Sequence, residues 1–439
     1  MENLYLLRSL AIAIDDGNLA YDQLASEMSK SRFILMGEAS HGTAEFYRDR
    51  AYLSKVLIRD YGFNAVVIEG DWPDTYELTR YIAGQLPGLT AEEALSGFKR
   101  FPSWMWRNHE MLPFIEWLRE FNQLNIERHH QGLDIRLLGM DLYSLFTSME
   151  VVINYLESVD QVMAQNAKKR FSCFDHYDKD SQLYGYMTSY SKNKLNCEQE
   201  VINQLLEILK IARSQDDEYF SAVQNARLIK DAEQYYRNMF SGKVSSWNLR
   251  DQHMVDTISE IDKFLSNKLK SPAKLIIWAH NSHIGDARFT QQGRGGEHNV
   301  GQLMRMRYPQ ETFLLGFTTF DGNVTASSEW GASAECKKIN KGLSGSVEKL
   351  FHDVGIPKFY LITKDHPEVG AALPVHGLER AIGVVYLPEI ERQSHYFYVD
   401  IANQFDAIIH IDKTSAVQPI ENISISKDRD VPETYPSGM

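Results

Sequence analysis

Four short, nearly continuous apolar runs punctuate the chain: RFILM at 32–36, AVVI at 65–68, IRLLGM at 135–140 and KLIIWA at 274–279. They are rich in branched residues and too short for helices, so they predict strands buried on both faces of a mostly parallel sheet. Between the first two, DRAYLSKVLIRDYG (49–62) repeats its apolar residues at helical intervals and stops on a glycine, as a helix C-cap does. From about 146 to 265 the texture changes. Prolines vanish, Gln, Asn, Lys and Glu become dense, and leucines recur every three or four residues, as in EQEVINQLLEILKIARS and NARLIKDAEQYYRNMF. This predicts a long helical insertion between the third and fourth strands. Strand-like runs return after about 310 as FLLGFTTF, KFYLI, AIGVVYL and FDAIIHI. The end of the chain is polar and aperiodic, the pattern of a loosely attached tail. The expected class is therefore α/β, a central mostly parallel sheet flanked by helices. Residues 1–145 and 266–415 form a discontinuous α/β domain, 146–265 the insertion and 416–439 the tail.

Composition narrows the classes. With 439 residues, 43% of them hydrophobic, the chain can bury a sizeable core, and 24% charged residues is ordinary for a globular protein. A formal net charge of −13 argues against a nucleic-acid or anionic-membrane surface, both of which need a basic face, but suits a small-molecule partner. The opening MENLYLLRSLAIAIDD has an acid at Glu2, no basic stretch and two aspartates straight after its short apolar run. It reads as a first amphipathic helix rather than a signal peptide. No run reaches 18 apolar residues, so no membrane span is expected. Cys173, Cys197 and Cys336 are odd in number and far apart, which predicts reduced thiols in a cytoplasmic protein. The oligomeric state is not legible.

Each strong strand ends in chemistry. The first runs into Glu38 and His41, the second ends in Glu69, the third in Asp141, and the fourth in His280 and His283. The carboxyl ends of parallel strands share one edge of the sheet, where ligands bind, so these groups should converge in one pocket. GEASHGTAEFYRDR (37–50) places Ser40 or Thr43 to cap the following helix, and Arg50 to reach back from inside it. The bland alternative makes these ordinary loop residues and Arg50 one half of a surface ion pair. The His-x-x-His of WAHNSHI, with two glutamates nearby, also has the chemistry of a metal site. Trp104, Trp106 and Arg107 in FPSWMWRNHEM suit the wall of an apolar ligand pocket, or simply lock a loop to the core. GDARFTQQGRGGEHNVGQ (285–302) has the glycine content of a mobile lid. No serine nucleophile elbow, P-loop or dinucleotide fingerprint is present, which removes the usual serine hydrolases and nucleotide-driven reactions.

GEASHGT, VVIEGDW, WAHNSHI and NVGQLMR, in that order, resemble the erythromycin esterase family over roughly residues 30–320. Members of that family hydrolyse the macrolactone ester of erythromycin-type antibiotics, and others are named as succinoglycan biosynthesis proteins. The resemblance implies a carboxylic ester hydrolase that needs no cofactor. It makes His41 the catalytic histidine, with Glu38, Arg50, Glu69, His280 and His283 around it. Without a serine or a suitable thiol, water is the simplest nucleophile and His41 its base. Trp104, Trp106, Arg107 and Asp141 are the expected substrate contacts. Two alternatives stay open: a metal-dependent hydrolase using the same cluster, and a non-catalytic protein of polysaccharide metabolism.

Overall fold

The computed structural model describes residues 2–14, 21–127, 134–190, 196–211, 216–240 and 242–420. The four apolar runs form β2 (Phe33–Met36), β3 (Ala65–Asp71), β4 (Arg136–Asp141) and β5 (Leu275–Trp278), after a two-residue β1 (Ile12–Ala13). The later strands are β6 (Thr312–Ala326), β7 (Glu335–Ile339), β8 (Lys358–Ile362), β9 (Gly377–Arg380), β10 (Tyr396–Val399) and β11 (Ala407–Thr414). The main sheet has the order β1-β8-β11-β6-β2-β5-β3-β4, with β7 paired to β6, and β9 and β10 form a separate antiparallel pair. From β11 to β4 every pairing is parallel; β8, β1 and β7 run antiparallel at the periphery. Successive residues of β2 go to opposite cores, Phe33 and Leu35 to one and Ile34 and Met36 to the other. That division is why the run is apolar without alternation.

The helix Ala44–Tyr61 fills the predicted position and closes on Gly62 at φ 69, a left-handed conformation glycine adopts without a Cβ clash. Helices from Leu145–Val159 to Lys243–Leu269 occupy the chain between β4 and β5, as the insertion predicts. Residues Glu2–Leu10 are helical, and among the described residues no helix is long and apolar enough to cross a membrane.

Three expectations need correction. Cys173 and Cys197 are not reduced thiols: they form a disulfide with Cα atoms 6.0 Å apart, which helix packing inside the insertion brings about and linear spacing hides. Cys336 is the unpaired, exposed cysteine. AIGVVYL forms no strand; Ile382 and Val385 make single bridges to Ser40 and Ser327. Its apolarity reflects burial between neighbouring loops, not a ladder. The first residues of the tail are firmly attached: Val417 N–H donates to Gly42 O at 3.0 Å, and Ile420 N–H to Arg107 O at 3.1 Å. The remainder of the tail, 421–439, lies outside the described residues. Residues 285–298 are absent from the cavity lining; Trp247 Nε1 donates to His298 O at 2.8 Å, and Thr290 bridges Val399.

Candidate active site

β2 leaves the sheet at Met36 and carries Glu38 and His41 into the helix Ala44–Tyr61. Thr43 takes the N-cap position, but its hydroxyl pairs with Ser40 Oγ and caps no helix N–H. From inside the helix Arg50 leans back toward the N-terminus, and its Nη2 donates to Glu38 Oε2. The other carboxylate oxygen, Oε1, lies 2.9 Å from His41 Nδ1. Glu38 and Arg50 are 0% exposed and His41 is 6% exposed. A buried charge left unpaired costs several kcal/mol, so Glu38 and Arg50 hold each other in place. Arg50 is also set between the rings of Tyr47 and Trp278, each centroid 4.8 Å from its Cζ. A carboxylate at Nδ1 favours the neutral tautomer of His41 that carries its proton there and leaves Nε2 as the acceptor.

β3 supplies Glu69. Its Oε2 accepts the backbone N–H of His280 at 2.9 Å, and its Oε1 accepts Arg250 Nη2 at 2.7 Å and lies 3.3 Å from His283 Nε2. Burial alone would raise this carboxyl, but His283, Arg250 and His41 outweigh it and hold Glu69 well below the ordinary carboxylate range.

The turn after β5 separates its two histidines electrically. His280 caps the short helix Asn281–Ile284, its Nδ1 accepting from Ser282 N–H at 3.2 Å, and its ring stands 4.9 Å from that of His41. Burial, reinforced by His41, keeps it well below the usual imidazole value, hence neutral. His283 stacks on Trp247 at 4.4 Å, and its Nδ1 lies 2.9 and 3.0 Å from the two oxygens of Asp251. Burial pushes its pKa down, but Asp251 and Glu69 outweigh burial and take it up to about 9.

Sequence reasoning missed Arg250 and Asp251, neighbours on the insertion helix Lys243–Leu269. Arg250 donates from Nε and Nη2 to the two oxygens of Asp141 at 2.9 and 2.6 Å, from Nη2 to Glu69, and places Nη1 3.0 Å from His283 Nε2. One signal was available. Arg250 and Asp251 fall in helical phase with buried Met254, Val255 and Ile258, so the apolar stripe of the helix continues through a charged pair.

A cavity opens over this edge of the sheet, lined by His41, Glu69, Asp71, Asp141 and Arg250 on its floor. It spans about 560 Å³, a figure that includes space open to solvent. Phe98, Phe101, Met105, Trp106 and Trp330 make one apolar wall, and Asp74, Arg100 and Tyr143 face it. Burial and the neighbouring Asp71 push the Asp74 carboxyl up to about 7. Of the expected substrate contacts, Trp106 and Asp141 line the cavity. Trp104 is buried behind the wall, and Arg107 is buried with Nη1 on Leu95 O at 3.0 Å. Glu38, Arg50, His280 and His283 form the layer beneath His41 rather than the lining. Among the described residues no three His, Cys, Asp or Glu side chains are grouped as metal ligands.

A doubly covered, mostly parallel sheet with buried acids and histidines converging at its carboxyl edge defines an α/β protein with an enclosed polar site. The erythromycin esterase family model matches residues 58–414, and the chain belongs to that family. It is 23% identical over 432 residues to erythromycin esterase type II of Escherichia coli, covering 92% of this chain and 95% of that protein. A crystal structure of a succinoglycan biosynthesis protein superposes with a TM-score of 0.77 at 20% identity, covering 95% of this chain and 98% of the other. A mutant of the erythromycin esterase EreC in its open conformation superposes with a TM-score of 0.68 at 16% identity, covering 92% of this chain and 96% of the other. These likenesses at low identity establish the fold.

Proposed function

We propose that this protein hydrolyses a carboxylic ester, a macrolactone of the erythromycin type among the candidates, with His41 as the base that activates water. The observation that carries this reading is the chain Arg50–Glu38–His41, in which a buried carboxylate favours Nδ1 as the protonated nitrogen while His41 lines the cavity. Nε2 is then the nitrogen able to take a proton from water as it attacks a carbonyl carbon. A positioned base of this kind contributes about 10²–10⁴ in rate. Glu69, ionised and beside His41, orients the water. The guanidinium of Arg100, in the lining, gives the developing oxyanion a positive partner. The aromatic wall from Phe98 to Trp330 takes the apolar bulk of the substrate. Family membership and the E. coli relative support the macrolide as the first substrate to test.

The test is erythromycin hydrolysis followed by mass spectrometry, for wild type and His41→Ala, each with and without a chelator. Gain of one water that survives chelation and is lost in the variant supports the reading. Hydrolysis undiminished in His41→Ala would sink it, and loss on chelation would transfer the chemistry to a metal.

A further inference from the structure

One guanidinium of the insertion reaches into the catalytic edge. Arg250 donates to the ends of two strands, to Asp141 at the end of β4 and to Glu69 near the end of β3, and its Nη1 stands 3.0 Å from Nε2 of His283 just past β5. Asp141 is fully engaged, since both its oxygens accept from Arg250 and Oδ1 also accepts Leu142 N–H at 2.9 Å. Glu69 is held at both oxygens by three different groups, yet still lines the cavity beside His41. Without a cation here, Glu69 and Asp141 would face one another as buried like charges, and one would protonate or turn away.

We propose that Arg250 is a positioning residue supplied by the insertion, which fixes Glu69 as the water-orienting carboxylate and leaves Asp141 as its counter-ion rather than a substrate contact. The adjacent Asp251 repeats the device on His283, and its Oδ1 also accepts Val300 N–H at 2.9 Å, tying the helix to the segment after β5. The insertion is therefore part of the active site and not an appendage to it. This assignment rests on the hydrolytic reading of the same cavity.

The experiment compares full-length wild type, Arg250→Gln and Arg250→Lys on 4-nitrophenyl acetate and erythromycin, together with hydrogen exchange at individual amides. Arg250→Gln is expected to lower kcat by about 10²-fold with KM within about three-fold, and Arg250→Lys to recover about ten-fold of the loss, because the charge returns without the fork. In Arg250→Gln the His280 amide, which donates to Glu69, should lose protection while Ile276 and Ile277 in β5 keep theirs. Unchanged kcat overturns the proposal. So does protection lost along the whole helix Lys243–Leu269, which would make Arg250 a docking residue only. If wild type hydrolyses neither ester, the hydrolytic reading fails by itself. The His280 amide then still decides whether Arg250 positions Glu69.

Discussion

At the scale of single residues, the site works by assigning different charge states to similar groups. His280 and His283 are three residues apart in one turn, yet burial keeps the first neutral and Asp251 with Glu69 keep the second protonated. A raised folded-state pKa means stability that is complete below the unfolded value and lost as pH rises through the folded one. For His283 that window runs from the ordinary 6.5 to about 9. The shift corresponds to roughly 3 kcal/mol for a group this buried. Denaturant unfolding at pH 6.5 and pH 9 is expected to show wild type losing stability across the interval, and His283→Asn losing much less. Glu38→Gln tests the tautomer argument. Its amide can present either oxygen or NH₂ to Nδ1, so kcat is expected to fall by about 10²–10⁴-fold, and the unfolding midpoint to fall as well because Arg50 loses its buried counter-ion. Equal activity in Glu38→Gln would mean that the buried carboxylate does not orient the base. His41, Glu38 and Arg50 were legible in the sequence because they share one strand-to-helix segment. Arg250 and Asp251 were not, because a polar helix carries many such residues and only packing distinguishes them.

At the scale of elements, burial rather than β-propensity explains which predictions met their strands. RFILM, AVVI, IRLLGM and KLIIWA sit between two cores, so both faces had to be apolar. AIGVVYL is equally buried but meets its neighbours only at single bridges. β9 was hidden by its charges: Glu379 and Arg380 are buried there, with Glu379 accepting from Asn281 and Gln404 at 3.1 and 2.8 Å. Burial, with the nearby Glu348, pushes the Glu379 carboxyl up to about 8, so it behaves as a neutral partner of the two amides. The loop after β2 is set by close backbone approach. Gly42 O accepts from Thr325 and Val417, and a Cβ at Gly42 would stand 1.8 Å from Thr325 O. Gly42→Ala is therefore expected to cost about 3 kcal/mol, near the upper end of overpacking, and to displace His41. Chemical denaturation and kcat measured together check this. A stable, fully active variant would show that the loop can shift without consequence.

At the scale of the whole molecule, the insertion both stabilises and completes the site. Its disulfide closes a sequence separation of 24 residues, which the chain-entropy estimate values at about 3–4 kcal/mol. Thiol titration of the denatured, unreduced protein is expected to find one reactive cysteine, Cys336, rising to three after reduction. Three thiols before reduction would remove the bond. Cys173→Ala with Cys197→Ala is expected to lower the melting temperature while leaving 4-nitrophenyl acetate turnover within about two-fold, since the bond lies apart from the cavity lining.

The sequence by itself determined the α/β class, the four central strands, the position of the helical insertion, and the group of acids and histidines at the strand ends. Each is encoded locally, as a periodicity, a cap or a residue at the end of a run, and parallel strands place such ends on one edge regardless of their separation. Only the tertiary structure decided which of those groups face the cavity, which histidine is charged, which cysteines pair, and which remote guanidinium holds the carboxylates. Those outcomes depend on distances between segments from 24 to 211 residues apart. Charge pairing and burial are fixed by such distances, and no local pattern encodes them.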